Sequence, residues 1–426
     1  MLRFETVTIV GIIALLMVVT LVTPIVYTVL SGNVTIPSSG QIGLTSIVAN
    51  SGSASDIQAA VNYAAANGIS NVTIPQGAYD FVAVGQTWVH VSIPTGIDIY
   101  GASTQRDSNG HVIEWGTVLR MPFEAPENSR FFTVYGTTGT RISDIKFVGY
   151  RELNANSDAH YTAIFVQYSS NFRVDHCSFL NVAGQCVQIQ ESNGVVDHCD
   201  FVNNKNVYVT NIYNDCTVWY GVAVNGDNDL WVSDISDVLG ASTSCTVFIE
   251  DNYFEGWRHS VASNRGAHYV FRYNVERKNG YGSIDAHGRE GDGSSLGTRA
   301  IEVYGNNFGD PVWGDMGVQL RGGGGVFFDN NVDGYGLTGT AISQYSAFVC
   351  MVQYTPDDYP DQQIKDVWIW DNTLTPSGAD LWDAAWGGIA HNGIEEGSEF
   401  YLRAPSQSLD GFTYTAYPYP HPLVTY

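Results

Sequence analysis

Ionisable side chains suited to proton transfer and anion binding recur at a similar place in successive segments of the second half of the chain. Asp285 and His287 stand two residues apart, and Arg265 and Arg321 take the matching place in the segments before and after them. An imidazole beside a carboxylate can transfer protons, and an arginine can hold a carboxylate or a developing negative charge. We therefore predict a catalytic group made of Asp285, His287, Arg265 and Arg321.

Polar residues extend this group into a column, provided that the segments are strands. Alternate residues of a strand face opposite sides, so Gln167 points outward if Ile164 and Val166 point inward. The same alternation predicts these ligand-binding side chains: Gln167, Gln190, Asn225, Ser263 and Gln319, with Arg289 on a nearby turn. A polysaccharide suits such a face, because one sugar chain can contact several segments. A shift of one residue in register would turn any of these side chains inward.

Two chemistries and one non-catalytic role remain open for the column. β-Elimination on a uronate needs a base and a cation, which the four predicted residues contain. Glycosidic hydrolysis uses two carboxylates at a defined separation, but the column holds only Asp285, with Glu290, Asp292 and Glu302 outside it. Stacked Arg, Asp and His side chains also form structural ladders, as in a non-catalytic glycan-binding adhesin.

The elements that must position these residues are repeats of about 22 residues. R-V-D-H-C-S-F at 173–179 returns as V-V-D-H-C-D-F at 195–201. One repeat position is held by Ile145, Cys177, Cys199, Asn252, Asn274, Asn306, Asn330 and Asn372. Such short units must stack to bury an apolar face, which predicts an all-β, right-handed parallel β-helix. The asparagines fit a turn position, where Asn tolerates left-handed geometry and its amide can bond to the next coil.

This repeat resembles the pectate-lyase-like β-helix superfamily over roughly residues 50–400. The segments D-I-Q-A-A-V at 56–61 and V-T-I-P-Q-G-A-Y at 72–79 are similar to the start of many secreted β-helix proteins. The resemblance implies the fold. It does not imply one function, because this fold is shared by lyases, hydrolases, epimerases and inert adhesins.

A shorter motif resembles the calcium-site region of family-one pectate lyases. It is V-D-H-C-S-F at 174–179, but the R-x-P-x-x-R signature of that family is missing. We therefore interpret Asp175, His176, Asp197 and His198 as turn and ladder residues. Ca²⁺ remains a candidate cofactor at Asp357, Asp358 and Asp361, whose carboxylates are calcium ligands by type. The alternative for these three residues is a solvated acidic loop.

The chain contains six cysteines and no C-x-x-C pair, which argues against a zinc or redox motif. Cys177 and Cys199 share one repeat position and predict a small apolar stack, with a disulfide as the alternative. Cys216 and Cys245 flank an irregular insertion and are the better disulfide candidates if the compartment is oxidising.

The net charge of the chain is −24. Only four lysines are present, so there is no basic surface for nucleic acid, which excludes that class of partner. The composition, rich in Tyr, Asn, Ser and Gly, favours an extracellular surface.

The chain divides into four predicted regions. Residues 1–30 contain an uncharged apolar run at 7–30, which predicts either an uncleaved membrane anchor or a cleaved signal peptide. In both cases the rest lies outside the cell, at its surface or secreted. Residues 31–54 predict a tether, and residues 55–400 the β-helix, whose open end would be covered by an amphipathic helix over 55–67. Residues 401–426, rich in Pro and Tyr, predict an extended tail packed on the solenoid.

Overall fold

The computed structural model describes residues 34–35, 45–82, 90–106, 108, 112–121, 129–149, 162–182, 184–204, 220–227, 231, 233–241, 243–279, 282–289, 296–311, 316–334, 347–353, 359–375, 380–384 and 393–425. Within them the chain winds into a solenoid. Each turn of the solenoid contributes one short strand to each of three long sheets, and neighbouring strands in a sheet run parallel. The exception is Val34–Thr35, which pairs antiparallel at the end of one sheet.

Sheet A is the longest of the three. Its parallel strands are Ser46–Ala49, Asn71–Ile74, Asp98–Gly101, Arg141–Ser143, Phe172–Asp175, Gly194–Asp197, Thr246–Glu250, His268–Arg272, Ala300–Tyr304, Gly323–Phe328, Ile364–Trp370 and Phe400–Tyr401. Ser46–Ala49 falls inside the predicted tether, so the tether prediction is wrong for these residues: alternate side chains of this segment are buried and it pairs with Asn71–Ile74.

Sheets B and C complete each coil. Sheet B consists of Gly77–Asp80, Thr117–Arg120, Ile145–Val148, Ser178–Leu180, Asp200–Val202, Tyr253–Glu255, Val275–Arg277, Asn307–Gly309, Asn331–Asp333 and Thr373–Thr375. Sheet C consists of Val91–Ile93, Arg130–Tyr135, Thr162–Gln167, Gln185–Gln190, Tyr220–Asn225, His259–Asn264, Ile284–Ala286, Met316–Leu320, Ala347–Met351 and Trp382–Asp383. A separate antiparallel pair joins Gln105–Arg106 to Val112–Glu114.

Inward side chains of equivalent strands lie above one another and form the core. In sheet B the rings of Phe147, Phe179, Phe201 and Phe254 stack at centroid distances of 5.1, 4.8 and 4.6 Å. All four are fully buried. Stacking of like residues follows from parallel strands in register, which place the same repeat position of successive coils side by side.

The repeated asparagines form a buried ladder at the turn between sheets A and B. The Oδ1 of Asn306 accepts hydrogen bonds from N and Nδ2 of Asn274, at 2.9 and 3.2 Å. Its own Nδ2 donates to the carbonyl oxygen of Phe271, at 2.9 Å. The predicted bond to the neighbouring coil is therefore confirmed. The left-handed residue, however, is the one before each asparagine, as at Asp251 and Asp329, with φ of 57° and 54°.

The N-terminal end of the solenoid is covered by the helix Ala54–Asn67. Ser53 caps its start, since the Ser53 hydroxyl oxygen accepts a hydrogen bond from the Asp56 amide at 3.2 Å. The buried face of the helix packs on the first strands of sheets A and C. Short helices also occur at Ile235–Asp237, Pro360–Gln362, Gln407–Asp410 and Pro422–Thr425. Among the described residues, no helix is long and apolar enough to cross a membrane. Residues 7–30 lie outside that part of the chain.

The C-terminal tail lies along the outer face of sheet A. Buried Arg272 donates to the carbonyl oxygens of Tyr417 and Pro418, each at 3.0 Å. Further along, Tyr414 donates its hydroxyl to Glu302 at 2.6 Å. The tail thus covers charged groups that would otherwise face solvent.

Candidate functional site

The outer face of sheet C carries a ladder of amide side chains. Gln167, Gln190, Asn225 and Asn264 are paired in register on four successive strands. We call these four residues the amide ladder. Each side chain is partly exposed. The predicted outward positions of Gln167, Gln190 and Asn225 therefore agree with the strand register.

The predicted register is wrong by one residue in the next strand. Ser263 pairs with Val224 and Ala286 and is only 3% exposed, so it faces the core, where its hydroxyl lies 2.9 Å from that of Thr298. Asn264 takes the outward place that was predicted for Arg265. The prediction assumed that the polar residues of this strand face outward. In the structure the polar residue Ser263 faces inward, and its hydroxyl group is paired with that of Thr298.

Arg265 consequently lies on a turn, not in the column. Its φ of 57° places it directly after the strand, and its side chain is exposed. Its backbone amide donates to the carbonyl oxygen of Leu296 at 2.8 Å. The predicted catalytic group therefore loses one of its two arginines.

The other three predicted catalytic residues meet around one carboxylate. Arg321 donates to both oxygens of Asp285, with Nε at 3.0 Å and Nη2 at 2.9 Å. The Nε2 of His287 lies 2.9 Å from Asp285 Oδ2. The Nε2 of His259 lies 3.3 Å from the same oxygen, and its Nδ1 lies 2.6 Å from the carbonyl oxygen of Gly282. His259 begins a strand and is fully buried.

The electrostatics of this cluster hold Asp285 ionised. Burial alone would raise the pKa of Asp285, but the positive charge of Arg321 and the neighbouring His287 outweigh it and hold this pKa well below the usual range. The carboxylate is only 2% exposed, so it cannot reach a ligand directly. Its chemical role is to orient His287, whose side chain remains 23% exposed. The contact of Nε2 with Asp285 fixes the orientation of the imidazole ring.

A pocket of about 150 Å³ lies beside His287 on the outer face of sheet C. Its walls include Tyr220, Asn225, Asn264 and His287. The pocket is therefore continuous with the amide ladder and contains the exposed imidazole. Gln319, also predicted to bind ligand, points outward in register with Asp285 but is 3% exposed, so it lies beneath this surface.

Two exposed tyrosines stand at the N-terminal end of the amide ladder. Tyr135 pairs in register with Gln167, and Tyr168 follows that residue. The two tyrosines are 61% and 47% exposed, and their rings meet edge to face at 5.5 Å. Exposed rings of this kind can hold the apolar face of a sugar. The sequence contains 25 tyrosines, and no pattern in it distinguishes these two from the others.

Arg289 is not among the residues that line this pocket. Its guanidinium carbon stands 3.6 Å above the ring centre of Tyr359. Of the predicted calcium ligands, Asp357 and Asp358 lie outside the described residues, and Asp361 belongs to the short helix Pro360–Gln362. Among described residues, no group of three His, Cys, Asp or Glu side chains is arranged to hold a metal ion. The calcium prediction is thus untested for the acidic loop.

The V-D-H-C motifs form a structural ladder on sheet A. Asp175 accepts two hydrogen bonds from Arg141, at 2.7 and 2.6 Å, and Asp197 accepts two from Arg173, at 2.9 and 2.8 Å. His176 and His198 follow these aspartates with their rings stacked at 5.1 Å. Burial opposes ionisation of Asp175, but hydrogen bonds from Arg141 and His176 lower its pKa to about 2. The interpretation of these residues as ladder residues agrees with this geometry.

The two cysteines at the repeat position form no disulfide. Cys177 and Cys199 are free and buried in adjacent coils, which confirms the apolar stack and excludes a disulfide between them in this structure. Cys245 is also free and buried. Its predicted partner, Cys216, lies outside the described residues. The Cys216–Cys245 bond remains a prediction.

Solved structures place the architecture among known proteins. The tailspike protein of Escherichia coli bacteriophage HK620, solved with a pentasaccharide, aligns with a TM-score of 0.51 at 15% identity over 77% of this chain. The fold is a parallel β-helix, as the resemblance to the pectate-lyase-like superfamily predicted. This β-helix chain spans about half of the tailspike chain, 53%. No protein-family model and no curated protein sequence matches it.

Two other solved structures are similar to this β-helix at lower scores. The alginate lyase of Paenibacillus sp. str. FPU-7 aligns with a TM-score of 0.44 at 11% identity, over 80% of this chain and 97% of the lyase. The surface adhesin PfbA of Streptococcus pneumoniae aligns with a TM-score of 0.46 at 12% identity, over 75% and 74% of the two chains. At such identities the likeness concerns the fold alone.

Proposed function

We propose that this β-helix binds a polysaccharide along the outer face of sheet C. The observation that carries the proposal is the amide ladder, which runs from the exposed tyrosine pair to the pocket beside His287. Strands in a sheet are about 4.8 Å apart, so the four amides cover roughly 14 Å along the solenoid. Amides both donate and accept hydrogen bonds, as sugar hydroxyls require. A linear glycan can therefore contact successive coils.

Two further observations support a glycan ligand. The tailspike that shares this fold was solved with a pentasaccharide, which gives a precedent for sugar binding on such a solenoid. The net charge of −24 opposes long-range attraction of a polyanion, so recognition would depend on local hydrogen bonds and stacking. We also propose that the protein acts outside the cell, held at the surface or secreted, because an uncharged apolar run at 7–30 precedes the β-helix.

Binding can be measured by affinity electrophoresis of the purified full-length protein through gels that contain acidic or neutral polysaccharides. We expect at least one polysaccharide to retard the protein. The double variant Gln190→Ala/Asn225→Ala should bind the polysaccharide with roughly tenfold lower affinity and should therefore be retarded less. The reason is that two central hydrogen-bonding groups are removed. Asn331→Ala, an exposed amide on sheet B, is the matched control and should bind as the wild type does. Equal retardation of both variants would disprove binding along sheet C.

A second candidate function is proton transfer by His287 on the bound sugar, as in uronate β-elimination. It is favoured by the hydrogen bond to buried Asp285, which fixes the imidazole beside the pocket. Asp285 and Arg321 would be positioning residues, because Arg321 is engaged by both carboxylate oxygens of Asp285. With Arg265 on a separate turn, the cation that elimination requires for the substrate carboxylate has no assigned residue. Non-catalytic binding is therefore the better-supported function.

Unsaturated products of elimination absorb ultraviolet light, which separates the two functions. If His287 is the base, incubation with a uronate polymer should raise absorbance, His287→Ala should abolish the rise, and Asp285→Asn should shift the pH profile of the rate. Retardation in the gel without absorbance or new reducing ends, with and without Ca²⁺, would reject catalysis and leave the adhesin-type function.

A further inference from the structure

A second and larger cavity lies on sheet A, away from the amide ladder. It measures about 610 Å³ and opens between the segment around Trp231, the last strands of sheet A and the C-terminal tail. Aromatic side chains of three separate segments form its walls. Trp368 and Tyr401 pair in register on neighbouring strands with their rings 5.7 Å apart, and Phe412 of the tail meets Trp368 edge to face at 5.4 Å.

The cavity also contains a buried arginine. Arg299 is 5% exposed, and its Nη2 donates to the carbonyl oxygen of Ser233 at 2.8 Å. Its guanidinium carbon lies 5.3 Å from the ring centre of Trp231. Its Nε has no hydrogen-bond partner among the described residues, and no described carboxylate lies within 4.0 Å of the guanidinium. Burial lowers the pKa of Arg299, and the charges of Asp366 and Asp234 offset this only in part. A buried guanidinium is therefore stabilised by a negative group at closer range.

The acidic side chains that line the cavity are mostly engaged elsewhere. Asp234 accepts hydrogen bonds from the amide and hydroxyl of Ser236, at 3.0 and 2.8 Å. Asp410 is bound by Arg403 at 2.6 Å. Asp366 has no such hydrogen bond or ion pair among the described residues; burial raises its pKa, and the charges of Lys365 and Arg299 oppose this. The cavity therefore offers one buried cation, one carboxylate able to accept from a hydroxyl, and aromatic faces.

We propose that this cavity binds a hexuronate residue, the carboxylate of the sugar pairing with Arg299 and its ring lying against the aromatic wall. Arginine matches a carboxylate in geometry as well as charge, through two parallel N–H donors. Asp366 would accept a hydrogen bond from a sugar hydroxyl. Tyr401 and Phe412 line the cavity with apolar surface, against which the C–H side of a pyranose can pack. This is a second saccharide site, independent of the amide ladder and built partly from the tail.

The test is calorimetric titration of the full-length protein with D-galacturonate and D-glucuronate, each compared with its methyl ester. The ester keeps the sugar ring and hydroxyls but removes the charge. We expect at least one acid to bind roughly tenfold more tightly than its ester, because a buried charge pair is lost. Equal affinity of acid and ester, or no binding of either acid, would overturn the proposal.

Two variants locate the ligand. Arg299→Met should lose acid binding while its thermal unfolding midpoint stays the same or rises, since an unpaired buried charge is removed. Asp366→Asn should bind the acid more tightly, because a like charge is removed while a hydrogen-bonding group is kept. If Arg299→Met does not fold, the affinity of Asp366→Asn for the acid and the comparison of acid with ester still test the proposal. Arg120→Met, at a surface ion pair, is the matched control.

The amide-ladder variant separates this proposal from the proposed function. Gln190→Ala/Asn225→Ala should keep the affinity for the monosaccharide acid. If that variant loses acid binding and Arg299→Met retains it, the ligand occupies sheet C and the second site is disproved. If polysaccharide retardation is absent but acid binding depends on Arg299, the proposed function fails and the second site stands.

Discussion

Single buried ionisable residues have unusual protonation states in this solenoid. Glu276 faces the core of sheet B, in register between Phe254 and Phe308, and is fully buried. Its Oε2 accepts from Ser260 at 2.7 Å and from Asn279. Burial raises the pKa of Glu276 to about 8, above its ordinary 4.5, despite these hydrogen bonds. The carboxyl is therefore neutral in the folded protein at neutral pH, unlike Asp285, which Arg321 keeps ionised.

The raised pKa of Glu276 predicts that the folded protein loses stability as pH rises. Between pH 4.5 and 8 the folded state keeps a proton that the unfolded chain has released. The free energy of unfolding should therefore fall by about 1.4 kcal/mol per pH unit from this residue. The stabilisation that Glu276 contributes is fully present below pH 4.5 and is lost above about pH 8. Glu276→Gln should flatten this dependence and be more stable than the wild type at pH 8, as measured by urea unfolding at several pH values. If the free energy of unfolding depended on pH in the same way in both proteins, the raised pKa of Glu276 would be contradicted.

At the scale of elements, the turn between sheets A and B is held by the asparagine ladder. Each Oδ1 accepts from the coil before it, and each Nδ2 donates to a backbone carbonyl oxygen. In all rungs but Asn372, the Nδ2 also donates to the next Oδ1, as from Asn306 to Asn330 at 3.0 Å. The left-handed residue in front of each asparagine turns the chain, so the asparagine itself is free to point inward. In earlier coils the position is held by Cys177 and Cys199, whose thiols donate only weak hydrogen bonds to backbone carbonyl oxygens, at 3.8 Å to Ile142 and 3.6 Å to Val174.

Removing one rung should therefore destabilise the fold. Asn306→Ala leaves the buried N and Nδ2 of Asn274 without their acceptor. We expect a loss of about 2–3 kcal/mol in the free energy of unfolding, measured by urea titration. Asn331→Ala, one residue beyond another rung and exposed, should change it by less than about 0.5 kcal/mol. Similar losses in the two variants would mean that the ladder contributes little.

At the scale of the whole molecule, the tail and the solenoid depend on each other. Arg272 is fully buried between Glu250, which it meets at 2.6 Å, and the tail carbonyls of Tyr417 and Pro418. Phe248 packs edge to face on Tyr417 at 4.8 Å. The tail thus seals one long face of the solenoid and forms one wall of the Arg299 cavity.

Arg272→Met should release this tail. The change leaves Glu250 buried without its cation, so we expect a loss of about 3–5 kcal/mol and faster proteolytic cleavage within residues 411–425. Arg120→Met breaks an exposed ion pair and should cost less than about 1 kcal/mol, without new cleavage. Thermal unfolding and timed protease digestion measure both effects. Unchanged cleavage in Arg272→Met would show that contacts other than those of Arg272 are sufficient to hold the tail.

The sequence predicted the solenoid because its repeat is local. The Asn positions and the inward Val, Ile and Phe residues recur at coil spacing, and parallel stacking follows from units too short to bury a face alone. It also predicted the meeting of Asp285, His287 and Arg321, because their strands keep the ordinary alternation of inward and outward residues.

Tertiary structure decided what alternation could not. The strand His259–Asn264 places Ser263 inside, because Thr298 supplies its hydrogen-bond partner from another coil. That shift moved Arg265 onto a turn and brought Asn264 into the ladder. The cavity around Arg299 joins segments far apart in sequence, and no local pattern predicts their approach. Local periodicity fixes which coils stack, whereas contacts between distant segments fix which side chains meet.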